Sequence, residues 1–218
     1  MNRMVKVRLA ILAAGMIIAA ASPPAALAIG QRPYVDLVPR EGSFRLAHGE
    51  NLAMLFVDAQ DHAGVIRAAK DLQADIARVT ARAPKLAHEP ADLGTDALLV
   101  GTIGRSAIID RLIREGKIDV SQIVGKWESF LIQVVPEPFP GVAHGLVIAG
   151  SDKRGTIFGI YDLSEQIGVS PWYWWADVPV APGGPVRQAG HVRGRSACRP
   201  ISRHLSQRRG AGAERLGA

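Results

Sequence analysis

Short apolar runs alternate with segments of helical period through the middle of the chain. Residues 52–57 (Leu-Ala-Met-Leu-Phe-Val) are an apolar run between His48-Gly49 and Asp58, the pattern of a buried strand. From 62 to 82 the period changes: Val65, Ala69, Leu72, Ile76 and Val79 recur at steps of four and three, with Arg67, Lys70, Asp71, Asp75 and Arg78 between them. That spacing predicts an amphipathic helix of about five turns with one buried face, and Pro84 follows its end. Residues 97–101 predict a second buried strand. Residues 106–115 place Ile108, Ile109, Leu112 and Ile113 on a helix that Gly116 stops. A third strand is predicted over 130–135, a turn over 136–141 with its prolines and Gly141, and a short fourth strand over 146–149. A last helix over 154–167 ends at Gly168. The order strand, helix, strand, helix, strand, strand, helix predicts an α/β (α+β) fold, a mixed β-sheet flanked by helices. Residues 29–45 add a candidate edge strand interrupted by Pro33 and Pro39.

The two ends change the picture that composition gives. The 218 residues carry 26 Lys+Arg against 20 Asp+Glu, a net charge of +6. Residues 1–28 hold +3 of this and residues 181–218 hold +7, so residues 29–180 carry 15 basic and 19 acidic side chains. The foldable part is mildly acidic, which speaks against nucleic acid as its partner. Residues 1–28 have the layout of a signal peptide: a basic start with Arg3, Lys6 and Arg8, an apolar run over 9–21, and the small-x-small pattern Ala26-Leu27-Ala28. The run is too short for a bilayer, which needs about 20 residues. Export to the periplasm or the medium is expected, with no membrane span after cleavage near Ile29. The only Cys of the chain is Cys198, so residues 29–180 hold no disulfide and no thiol nucleophile.

Residues 181–218 have eight Arg, seven Gly, six Ala and three Pro with no aromatic residue. Such a segment cannot bury enough surface to offset its ordering entropy, and disorder is expected. Two readings stand: a tail that binds anionic polymers through its charge, or an out-of-frame translation, since Arg, Gly, Ala and Pro have the most GC-rich codons.

Candidate chemistry is sparse. The turn Gly101-Thr102-Ile103-Gly104-Arg105-Ser106 could present N–H groups to an anion, but it lacks the Lys-Ser/Thr ending of a phosphate loop, and a tight strand-to-helix turn is the plainer reading. In Gly150-Ser151-Asp152-Lys153-Arg154-Gly155, Asp152 is placed to cap the next helix. Asp58 and Asp61 could form a carboxyl pair, although Asp before a helix ordinarily serves capping and the dipole. His48, His62, His88 and His144 show no metal-ligand spacing; no catalytic residue, cofactor or metal site is expected. The unusual segment is Pro171-Trp172-Tyr173-Trp174-Trp175-Ala176-Asp177, where three of the four Trp lie in four positions. On an extended segment these rings face alternate sides. Trp172, Tyr173, Trp174 and Trp175 are therefore candidates for sugar stacking or for contact with a neighbouring domain.

The stretch 147–180, with Gly-Ser-Asp-Lys-Arg-Gly-Thr-Ile-Phe-Gly-Ile-Tyr and then Trp-Tyr-Trp-Trp-Ala-Asp-Val-Pro-Val, resembles the end of the N-terminal domain of glycoside hydrolase family 115, the xylan α-1,2-glucuronidases. The resemblance covers about residues 45–180. It implies an accessory α/β domain of the type that precedes a (β/α)8 barrel, an exported enzyme, and a xylan-type polysaccharide bearing glucuronic or 4-O-methylglucuronic acid as substrate. It stops at Val180, where the catalytic barrel of the family begins, so it carries no catalytic residue onto this chain. The expected domains are a signal peptide (1–28), the accessory domain (29–180) and the tail (181–218). An accessory domain alone should be inactive, and its aromatic run, without a neighbour, should favour self-association. The alternative is a stand-alone carbohydrate-binding module using Trp172, Tyr173, Trp174 and Trp175.

Overall fold

The computed structural model describes residues 34–36, 42–48, 51–170 and 191–193. Along the chain these form β1 (Val35–Asp36), β2 (Ser43–Arg45), β3 (Ala47–His48), β4 (Asn51–Leu52), β5 (Met54–Val57), α1 (Ala63–Thr80), β6 (Leu86–Ala87), β7 (Asp96–Thr102), α2 (Ala107–Arg114), β8 (Phe130–Phe139), β9 (Val142–Gly150), α3 (Lys153–Gln166) and β10 (His191–Arg193). The main sheet has five strands in the order β6-β5-β7-β9-β8. β6, β5, β7 and β9 are parallel neighbours, and β8 closes the edge antiparallel to β9.

The apolar runs are continuous because both faces of this sheet are covered. Leu55, Val57, Leu98, Val100, Leu146 and Ile148 point to one side, where Val65, Leu72 and Ile76 of α1 and Ile160 and Leu163 of α3 meet them. Phe56, Leu99, Val147 and Leu131 point to the other, against Ile109 and Leu112 of α2 and Ile118 and Ile123 of the loop after it. Each fully buried side chain of this size contributes about 1.5–3 kcal/mol relative to exposure. α1 buries the Val65-Ala69-Leu72-Ile76-Val79 stripe that its spacing predicts. It stops where Ala81 takes a φ of 62°.

Several boundaries differ from the sequence reading. The run over 52–57 divides at Ala53: β4 pairs back on β3 as a hairpin, and only Met54–Val57 enters the main sheet. The turn predicted over 136–141 is shorter, because β8 continues through Pro136 and Pro138 to Phe139. An edge strand tolerates proline where its N–H groups are not needed, and the register shifts between Pro136 and Phe139. The edge strand sought in 29–45 is two strands, β1 and β2, in a separate sheet of order β1-β10-β2. Its middle strand is His191–Arg193, and Val192 is fully buried beside Tyr34, Val35 and Phe44. These three residues fall within the segment 181–218. The signal segment 1–28, the aromatic run and the rest of the tail lie outside the described residues. Among the described residues no helix is long and apolar enough to cross a membrane.

Candidate functional site at the carboxyl edge of the sheet

Because β5, β7 and β9 are parallel, their carboxyl ends and the first turns of α1, α2 and α3 gather along one edge of the sheet. The start of β8 joins them, since β8 is antiparallel to β9. From β5 the chain passes to β6 on one side and then to β7 on the other. In open α/β sheets such a reversal opens the crevice where ligands bind.

Here the crevice is filled by the protein's own carboxyl groups. Asp61, 6% exposed, accepts the N–H of Thr102 at 2.7 Å and that of His62 at 2.7 Å. Asp58 accepts the N–H of Ala107 at 2.9 Å, at the start of α2, and that of Gln60 at 2.9 Å. The remaining N–H groups of the glycine turn are also taken: Ile103 by the Gly150 carbonyl, Gly104 by Asp110, Arg105 and Ser106 by the Thr102 carbonyl. Every backbone N–H from Thr102 to Ala107 is committed internally, so the turn has none left for a bound anion, while the buried Ser106 hydroxyl has no hydrogen-bond partner. The plainer reading of this turn stands. Asp58 and Asp61 act as staples between loops, the structural alternative to a reacting pair.

The second glycine turn is built in the same way. Asp152 caps α3 through the Gly155 N–H at 2.7 Å, and its other oxygen accepts the Glu128 N–H at 2.9 Å. The hydroxyls of Thr102 and Thr156 meet at 2.8 Å beneath the two turns. Gly155 lets α3 approach Ser129: a Cβ there would lie against the Ser129 carbonyl oxygen, with the Ser129 backbone nitrogen at 3.0 Å.

The loop from Ser129 back to Gly125 brings an exposed aromatic ring to this edge. Trp127 is 80% exposed, between Lys126 and a Glu128 whose carboxylate pairs with Arg154 at 2.9 Å. The sequence reading passed over Trp127, because a lone Trp between charged residues does not reveal its exposure. Trp172, Tyr173, Trp174 and Trp175 lie outside the described residues.

Elsewhere the titratable groups serve packing. The Nδ1 of His88 lies 2.9 Å from the Val57 carbonyl, and that of His144 lies 3.0 Å from Asp96. Among the described residues no three metal-ligating side chains gather. Asp75 on α1 is buried beside Arg78, and burial holds its carboxyl above the usual carboxylate value. Tyr161 on α3 donates to Asp71 of α1 at 2.9 Å, and its phenol is pushed up to about 12 by burial first and by Asp71 second. Cavities of about 490 and 430 Å³ share Phe139, Pro140 and Val142, and the second extends along α2 to Ala107. Lys117 and Glu137 line the first, where the Lys117 ammonium donates to the backbone carbonyls of Glu137 and Pro138.

The chain matches no protein-family profile and no curated protein. It does match solved structures. One is titled as a novel family GH115 4-O-methyl-α-glucuronidase with specificity for decorated arabinogalactans; the match has 31% identity and a TM-score of 0.51 over 65% of this chain. The chain carries a GH115-related domain. The match spans 16% of the length of that enzyme. The GH115-related domain is the α/β unit described above, with its mixed five-stranded sheet and three helices.

Proposed function

We propose that the GH115-related domain is the accessory domain of an exported α-glucuronidase, one that removes glucuronic acid or its 4-O-methyl form from a xylan-type or related polysaccharide. The observation that carries this reading is the structural likeness to the GH115 enzyme at 31% identity. The carboxyl edge supports the accessory role, since Asp58, Asp61 and Asp152 are all engaged in holding loops. A hydrolase of this kind needs carboxyl groups facing a bond. On this reading the chain by itself releases no uronic acid, and catalysis belongs to a barrel. The basic start, apolar run and Ala-Leu-Ala pattern of residues 1–28 support export.

The experiment is an assay of the purified chain on glucuronoxylan and on glucuronidated arabinogalactan, with free uronic acids separated and counted. No release above a heat-treated control is expected. Release by this chain alone would overturn the accessory role. Amino-terminal sequencing of the exported protein should begin near Ile29, and an intact Met1 would overturn the export reading.

A further inference from the structure

Among the described residues the exposed large apolar side chains are Val124, Trp127 and Tyr161, and Trp127 is the most exposed at 80%. An indole contributes nothing to the core in that position. The backbone under it is nevertheless fixed with unusual care. Glu128 adopts a φ of 54°, a conformation that a non-glycine residue takes only when its surroundings impose it. Its N–H is held by Asp152 at 2.9 Å and its carboxylate by Arg154 at 2.9 Å. The Ser129 hydroxyl donates to the Trp127 carbonyl at 3.1 Å, the Ser129 N–H donates to the Ser151 hydroxyl at 3.1 Å, and the Ser151 N–H returns to the Ser129 carbonyl at 2.9 Å. Ile123 and Phe130, on either side of the loop, are buried. The loop is an anchored pedestal, and Trp127 is what it presents.

We propose that Trp127 is a sugar-stacking residue that holds one pyranose ring of a polysaccharide at the carboxyl edge of the sheet. This rests on reading the chain as part of a polysaccharide-degrading enzyme. A pyranose ring has an apolar C–H face, which matches a flat indole, and a rim of hydroxyls, which needs polar partners. The loop of Trp127 supplies them: Lys126, which is next to it in the chain, and Glu128 with its partner Arg154. Lys126 is exposed. A protein partner fits less well. Stable interfaces bury about 800 Å² on each side around an apolar centre, whereas here a single ring and Val124 stand in a charged rim. Rigidity favours the sugar as well, since a platform that is already ordered loses little entropy on binding.

The test is affinity electrophoresis of the intact chain in gels containing glucuronoxylan or arabinogalactan, with W127A, W127F and a Y161F control. The wild-type chain should be retarded by at least one of these polymers. W127A should bind about tenfold more weakly, the loss of one stacking contact, while W127F keeps part of the affinity. Melting temperatures should agree, because an exposed side chain contributes little to the core. The proposal is overturned if the wild type runs unretarded in both gels, or if W127A binds as the wild type does. A change of sedimentation in W127A without a change of retardation would mean a protein contact and would also overturn it. The glucuronidase reading would survive any of these results, since uronic acid release is measured separately.

Discussion

The carboxyl of Asp61, in the loop after β5, accepts the backbone N–H of Thr102 at the end of β7 across 2.7 Å. Thr102 is 2% exposed, so its N–H has no water to turn to. Removing the acceptor in D61A leaves a buried donor unsatisfied, which costs about 1–3 kcal/mol. Urea unfolding should show that loss in the midpoint with an unchanged slope. D61N, which keeps one acceptor oxygen, should lose less. Equal stability of D61A and wild type would show that the staple is dispensable.

Close approach of α3 to the sheet rests on Gly150. A Cβ there would meet Thr156, with its Cα at 2.6 Å. G150A should therefore destabilise the domain by about 1–3 kcal/mol, as overpacking does. The same change at Gly141, where the space is open but φ is 88°, should act through backbone strain alone. Differential scanning calorimetry checks both, and a G150A melting temperature equal to that of wild type would contradict the packing described.

Burial raises the Asp75 carboxyl above 3.8, more than Arg78 and nearby hydrogen bonds lower it. The folded state then holds the proton more tightly than the unfolded chain, so the contribution of this group to stability is full below about 3.9 and is lost as pH rises through the folded value. Replacing it in D75N removes that dependence. The stability of D75N relative to wild type should rise with pH across this window. A difference between the two that is constant from pH 3 to pH 7 would contradict it.

The central β5-α1-β7-α2-β8-β9-α3 order was legible because the strands carry buried residues on both faces and each helix on one. Leu98 and Leu99 face opposite sides and are both buried, so the run reads as apolar throughout. Where burial involves only one or two side chains, the pattern fails. β10 contributes Val192 to the core from within an Arg/Gly-rich stretch, and β6 is two residues between Pro84 and Pro90. Of the candidate site, the capping by Asp152 and the tight turn at Gly101 were legible from residue type and position. Trp127 was not, because its setting depends on Ser151, Asp152 and Arg154, which arrive from another loop.

The accessory role is tested most directly by sequencing the DNA across the codons for Val180 to Ala218 and reading onward in all three frames. The expected result is one frame that continues into several hundred residues of alternating strand and helix pattern, the barrel that would carry catalysis. Stop codons in every frame soon after this point would contradict the account, because the GH115-related domain would then have no catalytic partner on the same gene.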